Sequence, residues 1–215
     1  MVTFNGQKYN GALETTDQYL YRELFTKIKP GFFIECGALN GASISNCKIL
    51  EDSLGWSGLN IEPSSAFNEL ILRRPKSINI RAALGSKDFE TLDFNESTVN
   101  FATSSFDSEL VGKTSSPNKI KTITYSYKTL IDMLNIKSVD FFSLDVEGYE
   151  VNVLEGMFGS YVLPSYIFIE THYSDKIAIQ TNLDKLGYTK VSIFHLDELY
   201  KLKGRDGPSE LPSFY

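Results

Sequence analysis

Three short segments carry residue types whose spacing suits the handling of a cationic nucleoside and of a proton. The first is Glu35-Cys36-Gly37-Ala38-Leu39-Asn40-Gly41, which follows the apolar run Phe32-Phe33-Ile34. Glycines at 37 and 41 let the chain turn sharply and let a ligand approach the backbone with no Cβ in the way. The carboxylate of Glu35, two residues before the first glycine, would repel a pyrophosphate and attract an ammonium group. The second segment ends in Glu62, 21 residues beyond Gly41, after Leu59-Asn60-Ile61. An acid about 20 residues past a glycine turn is placed to accept hydrogen bonds from both hydroxyls of a ribose. Together Glu35, Gly37, Gly41 and Glu62 favour an adenosine ligand that carries a cation and no diphosphate, a description that S-adenosyl-L-methionine fits.

The third segment is Asp145-Val146-Glu147-Gly148-Tyr149-Glu150, three acids in six residues at the end of an apolar run. Asp145 and Glu147 share a face if the strand continues through them, because alternate residues of a strand point the same way. They suit holding a ligand's amine, orienting a substrate hydroxyl, or binding a divalent cation through oxygens. Glu150 equally suits the first turn of a helix, where the macrodipole favours an acid. Glu170-Thr171-His172 closes a further apolar run. His172 is a candidate general base, since an ordinary imidazole pKa of ~6.5 suits proton removal near neutrality. Asp145, Glu147 and His172 are thus the candidate catalytic residues. No resident metal is expected, although a divalent ion held by Asp145, Glu147 or Glu170 is a second route to activating a hydroxyl. His195, the other histidine, suits a structural position.

Other chemistries lack their motifs. The turn at Gly37 is not a full G-x-G-x-x-G, and neither a G-x-x-x-x-G-K-[ST] loop nor a G-x-S-x-G elbow occurs. Cys36 and Cys47 are too few for a disulfide scaffold or a four-ligand zinc site and read as buried, inert thiols. With 21 Lys and Arg against 27 Asp and Glu, the chain lacks the broad basic footprint of a duplex binder. Nucleic acid is therefore disfavoured as a partner, with Lys113, Lys119 and Lys121 the one hint of a stacked RNA strand. No apolar run reaches the ~18 residues of a membrane span, and no secretory leader follows Met1. A cytoplasmic location without a membrane partner is expected.

The elements that must position these residues follow from hydropathy periodicity. A chain of 215 residues, 42% of them hydrophobic, suffices for one domain with a sizeable core, and a single domain over 1–215 is expected. Residues 1–31 read as an arm and a helix, with Leu20, Leu24, Phe25 and Ile28 at helical spacing behind a cap at Thr16 or Asp17. Apolar runs at 32–36, 59–62, 78–83, 139–145 and 166–170 read as buried strands. Helices are expected over 66–72, 130–134, 151–157 and 177–186. Another, capped by Ser43, would place Ile44, Cys47, Leu50 and Leu54 on one face and stop at Gly55. The runs 190–194 and 198–202 would pair as the last two strands. The stretch 88–124 breaks the rhythm and predicts an excursion over one edge of the sheet, with a strand over 120–127, while 204–215 reads as a loop tail. Strands alternating with helices make the fold class α/β with a mostly parallel sheet. Such sheets bind ligands at the carboxyl ends of their strands, where strand order reverses.

The segments, taken in order, resemble the FkbM-type methyltransferases. The resemblance rests on Phe33-Ile34-Glu35-Cys36-Gly37-Ala38-Leu39-Asn40-Gly41, Ser45-Asn46 with Glu51, and Gly55-Trp56-Ser57-Gly58-Leu59-Asn60-Ile61-Glu62-Pro63. It continues through Tyr127-Lys128-Thr129-Leu130-Ile131-Asp132, the run from Val139 to Glu150, and Leu154-Glu155-Gly156. It implies a class I, Rossmann-like, S-adenosyl-L-methionine-dependent fold: a seven-stranded, mostly parallel sheet with helices on both faces and its last strand antiparallel. The activity implied is O-methylation of a hydroxyl on a sugar, glycan or small metabolite. Carried over by position, Glu35, Gly37, Ala38, Asn40 and Gly41 would face the methionine part of the cofactor, Glu62 its ribose, and Ala83 and Leu84 its adenine. Asn46, Pro63 and Asp145 complete the cofactor-binding set, and Asp145 and Glu147 would border the methyl-transfer site. Asn40 stands where relatives often carry Asp, which keeps hydrogen bonding and removes the charge. RNA ribose methylation, a nicotinamide-dependent oxidoreductase and a non-catalytic binding module on the same fold are the alternatives. Acceptor specificity is expected to reside in 88–124, the N-terminal arm and the tail.

Overall fold

The structure is a computed structural model that describes residues 2–9, 12–112 and 117–204. Lys113 and all but the first residue of the expected tail lie outside the described residues. The chain runs through α1 (Thr16–Leu20), a π-helical turn (Tyr21–Phe25), β1 (Phe32–Cys36), α2 (Lys48–Leu54), β2 (Ser57–Ile61), α3 (Phe67–Arg73) and β3 (Ile78–Ile80). Then come β4 (Ala83–Leu84), β5 (Thr91–Glu96), a 3-10 turn (Phe101–Thr103), α4 (Ser108–Gly112) and β6 (Asn118–Tyr125). The last part holds α5 (Tyr127–Met133), β7 (Phe141–Leu144), α6 (Glu150–Glu155), β8 (Tyr166–Glu170), α7 (Lys176–Leu186), β9 (Tyr188–Phe194) and β10 (Asp197–Leu202).

Seven strands form one sheet in the order β3-β2-β1-β7-β8-β10-β9. The pairs from β3 to β8 are parallel, and β10 runs antiparallel to both of its neighbours, so the α/β sheet is mixed and mostly parallel. Strands β7 and β8 are buried along their whole length. That burial needs helices on both faces, because a parallel sheet leaves neither face to water. Alternation along β1 supplies the two cores. Ile34 and Cys36 pack with Phe142 and Leu144 under α5, α6 and α7, through Ile131, Leu154 and Leu183. Phe33 packs with Phe141 and Phe168 under α1, the π-helical turn and α2, through Leu20, Phe25 and Leu50. Strand order reverses between β1 and β7, and the ends of these two strands therefore diverge into a crevice.

Several boundaries differ from the sequence expectation, and four of them have an identifiable local reason. The first helix is capped at Thr15, whose N–H donates to Gln18 Oε1 at 2.8 Å, and not at Thr16 or Asp17. The helix expected behind Ser43 begins only at Lys48, with Ser45 Oγ accepting its N–H at 3.0 Å. Ile44 has φ +57° and faces solvent, so it does not join the helical face. The strand expected over 78–83 stops at Ile80, and Ala83–Leu84 instead pairs with β6 in a second sheet of order β4-β6-β5. The excursion is an antiparallel hairpin of β5 and β6, and β6 ends at Tyr125 because Ser126 caps α5 through the Thr129 N–H. Among the described residues, no helix is long and apolar enough to cross a membrane.

Candidate active site

The turn after β1 is stitched to both neighbouring strands. The N–H groups of Gly37 and Ala38 donate to the Ile61 carbonyl at 3.1 and 3.2 Å, and the Asp145 N–H donates to the Cys36 carbonyl at 3.1 Å. Gly37 has φ +84°, and a Cβ there would sit 1.7 Å from the Asp145 carbonyl oxygen, so glycine alone fits this crossing. The next residue but one, Leu39, donates its N–H to Glu62 Oε2 at 2.7 Å, while the Ser64 N–H donates to Glu62 Oε1 at 2.8 Å. Two backbone donors from separate turns thus fix the Glu62 carboxylate in place.

A cavity opens above these strand ends. It is lined by Cys36, Gly37, Leu39, Ile44, Glu62, Pro63, Ala83 and Leu84, and by Asp145, Val146, Glu147 and Tyr149 from the segment after β7. The excursion closes it with Phe94, Ala102, Ser104 and Phe106. Phe106 lies between Phe94, which it meets edge-on with ring centroids 5.1 Å apart, and Tyr149, tilted against it at 4.4 Å, and makes one wall aromatic. Burial, followed by the charges of Glu90 and Glu155, holds the Tyr149 phenol above its ordinary range.

Of the expected site residues, Gly37, Glu62, Pro63, Ala83, Leu84, Asp145 and Glu147 line this cavity. Ala38 is buried beneath the turn. Asn40 lies in an adjoining depression with Ser43, Ser65 and Glu69, where its Oδ1 accepts the N–H groups of Ala42 and Ser43. Gly41 faces the helix behind, where a Cβ would meet Leu70 and Arg74. Glu35 does not offer its charge to the cavity as expected. Its carboxylate accepts from Ser45 Oγ, from the N–H groups of Asn46 and Cys47, and from Arg74 Nη1 at 3.2 Å. Arg74 is fully buried and also reaches Glu51 through Nε at 2.7 Å. Asn46 belongs to the same polar layer, donating to Ser143 Oγ at 3.1 Å. These residues brace the turn from behind. His172 is exposed, packs edge-on to Tyr173 and is not part of the cavity wall, so the position expected for a base at the reacting centre is not where the histidine sits.

What lies beside Asp145 is instead a group of acids: Glu147, Glu150, Glu170 and Asp197. Burial and the charges of Glu150 and Glu35 push Asp145 up to about 7. Burial, then Asp145 and Glu150, push Glu147 up to about 9. Glu170 rises to about 10 by burial and the charges of Asp145 and Glu147, and Asp197 to about 8 by burial and Asp145, against the pull of a hydrogen bond from Tyr9. Glu150 is raised by burial but accepts from the N–H groups of Val146 and Gly148 and from Ser174 Oγ. One oxygen each from Asp145, Glu150 and Glu170 lies within 4.8 Å of the others, the spacing of a group that could hold a metal ion. A carboxyl poised near neutrality in a cavity wall can take a proton from an alcohol as a new bond forms.

Several members of this site have no strong sequence signal. Phe94 and Phe106 are scattered aromatics of the excursion, and Asp197 meets Glu170 only through the antiparallel register of β10 with β8. Glu150, which also suits a plain helix start, could be suspected from the three acids in six residues. Both cysteines are buried, and burial first, with neighbouring acids, pushes both thiols up. In the excursion Lys121 is paired with Asp93, which leaves less free positive charge than the sequence suggests.

Residues 35–203, more than three quarters of the chain, match the family model described as Methyltransferase FkbM domain. No curated protein matches the chain.

Proposed function

We propose, since the chain belongs to the FkbM methyltransferase domain family, that it uses S-adenosyl-L-methionine to methylate a hydroxyl of a sugar, glycan or small metabolite. In this reading the sheet is that of a class I, Rossmann-like methyltransferase, and the chain acts as one domain. The observation that carries it is the single cavity that joins Glu62, the Gly37 turn and Asp145 at the strand ends where the order reverses.

The residues present suit such a cofactor. Backbone N–H groups of Leu39 and Ser64, with the Ser64 side chain, take up part of the Glu62 carboxylate and leave acceptor capacity for a ribose hydroxyl. Ala83, Leu84, Phe94 and Phe106 offer an apolar and aromatic slot for a flat base. The missing Cβ at Gly37 lets the methionine part approach the backbone. When bound, the cofactor supplies a methyl group on a cationic sulfur, which an alcohol oxygen displaces in line.

The protein's own contribution is position and proton removal. Holding the alcohol against the donor contributes about 7–11 kcal/mol through effective molarity. Asp145, raised by burial and by Glu150 to about 7, accepts the alcohol's proton, and Glu147 beside it orients the incoming hydroxyl. His172, exposed beside Tyr173, is the less suited base.

Calorimetry on the folded chain tests the reading. S-adenosyl-L-methionine and its demethylated product should both bind; affinity for neither overturns it, and tighter binding of NAD replaces it with the oxidoreductase. A labelled methyl donor offered with glycans, small hydroxylated metabolites and RNA then identifies the acceptor class.

A further inference from the structure

The acids beyond β7 and β8 carry an imbalance that methyl transfer by itself does not explain. Among the described residues, no lysine or arginine pairs with Asp145, Glu147, Glu150, Glu170 or Asp197. Grouped acids alone would mean little. Glu170, however, is 8% exposed, and its Oε2 has no hydrogen-bond partner although it sits among other carboxylates. Glu147 Oε2, on the cavity side, is likewise buried and unpartnered. Buried polar oxygens in folded proteins are paired as a rule, and an unpaired one marks a partner still to be found.

The spacing identifies the partner's chemistry. Oxygens of Asp145, Glu150 and Glu170 lie within 4.8 Å of one another. Oxygen ligands at about 2.0–2.6 Å from a shared ion are separated by up to roughly 5 Å across it. The set holds no sulfur or imidazole, which favours a hard cation over zinc or copper. We propose that Asp145, Glu150 and Glu170 form a binding site for a hard divalent cation of the Mg²⁺, Mn²⁺ or Ca²⁺ class, open to the cavity beside Glu147. Two strand ends and one helix start supply the ligands: Asp145 follows β7, Glu150 opens α6 and Glu170 ends β8. Glu150 is held in place by the N–H groups of Val146 and Gly148 and by Ser174 Oγ, the supporting contacts that ion sites use to orient a ligand. The site stands independently of the methyl-transfer reading, and only its use rests on it: the ion would acidify an alcohol brought to the cavity, in place of proton removal by a free Asp145 carboxylate.

The test is direct binding to the chelator-stripped full chain with no methyl donor present: Mn²⁺ followed by electron paramagnetic resonance, and Mg²⁺ and Ca²⁺ by calorimetry. One ion per chain is expected, with affinity at least about tenfold weaker in Glu170→Gln and in Asp145→Asn. Circular dichroism checks folding, and should Glu170→Gln fail to fold, Asp145→Asn carries the comparison, Asp145 being the more exposed residue of the two. A folded wild-type chain that binds none of the three ions overturns the proposal. Unchanged binding in both variants overturns it as well, by moving the ion elsewhere. Infrared bands of protonated carboxyls that persist at saturating Mn²⁺ would show protons, not an ion, balancing the acids. Donor affinity is measured separately, so a failure of either reading leaves the other standing.

Discussion

Gly37→Ala probes the crossing on which the whole site is hung. The new Cβ would meet the Asp145 carbonyl oxygen at 1.7 Å, and that oxygen, or the turn itself, must recede by more than an ångström. Holding alanine at φ +84° costs about 1–2 kcal/mol, and the forced backbone shift about 1–3 kcal/mol more. The loss is a large part of the roughly 5–15 kcal/mol that stabilises an ordinary domain. Gly55→Ala is the control, because Gly55 has φ +73° and nothing within 4 Å of its missing Cβ, so only the conformational cost applies. Urea unfolding followed by the fluorescence of the single buried tryptophan, Trp56, reads both variants. The midpoint should fall further for Gly37→Ala than for Gly55→Ala at unchanged slope. Affinity for the demethylated cofactor should drop at least about tenfold, or 1.4 kcal/mol, in Gly37→Ala alone. Equal losses of stability in the two variants, with cofactor affinity intact in both, would refute the reasoning.

Removing the cation from the buried brace, as in Arg74→Met, leaves Glu35 and Glu51 facing each other without compensation and should cost about 3–5 kcal/mol in urea unfolding. Neutralising both acids in the same chain should restore part of that loss, and a harmless Arg74→Met would show that the brace is idle. Glu62→Gln keeps the side chain's shape but removes its charge, so cofactor affinity by calorimetry should fall by about 1.5–3 kcal/mol; unchanged affinity would put the ribose elsewhere. Asp197 is pushed up from 3.8 to about 8 by burial and by Asp145. Between these values the folded state holds a proton that the unfolded chain has released. Stability in chelator should therefore be greatest below the window and decline as pH rises through about 8, read by thermal melts; a rise instead would contradict the burial of these acids.

What the sequence disclosed well was whatever the local backbone decides. Tyr166–Glu170 is an apolar run that stands alone as a strand, and the Gly37 turn and Glu62 come together through the parallel register of β1 with β2 that any such sheet would have. What it concealed depends on partners distant in the chain. Glu35 reads as a ligand-facing acid until Arg74, 39 residues away, arrives from the end of α3 to occupy it. Ser45, Asn46 and Cys47 turn their donors to the same carboxylate, which is why α2 starts late. His172 follows a strand end as expected, but position along a chain says nothing of where a loop side chain points, and it points outward. Phe94 and Phe106 form a wall only because the β5–β6 hairpin folds back over the cavity.

Strand β10 has one more consequence, and it concerns the making of the protein. Although it comes after β9 along the chain, it lies in the interior of the sheet, between β8 and β9. Until residues 197–202 have left the ribosome, β8 presents a bare edge along Tyr166–Glu170, a segment that is buried throughout in the finished protein. Open apolar edges recruit other chains. A nascent or truncated polypeptide stopping short of β10 is therefore a species prone to self-association, and its safe completion depends on the final hairpin slotting home faster than a neighbour can take its place.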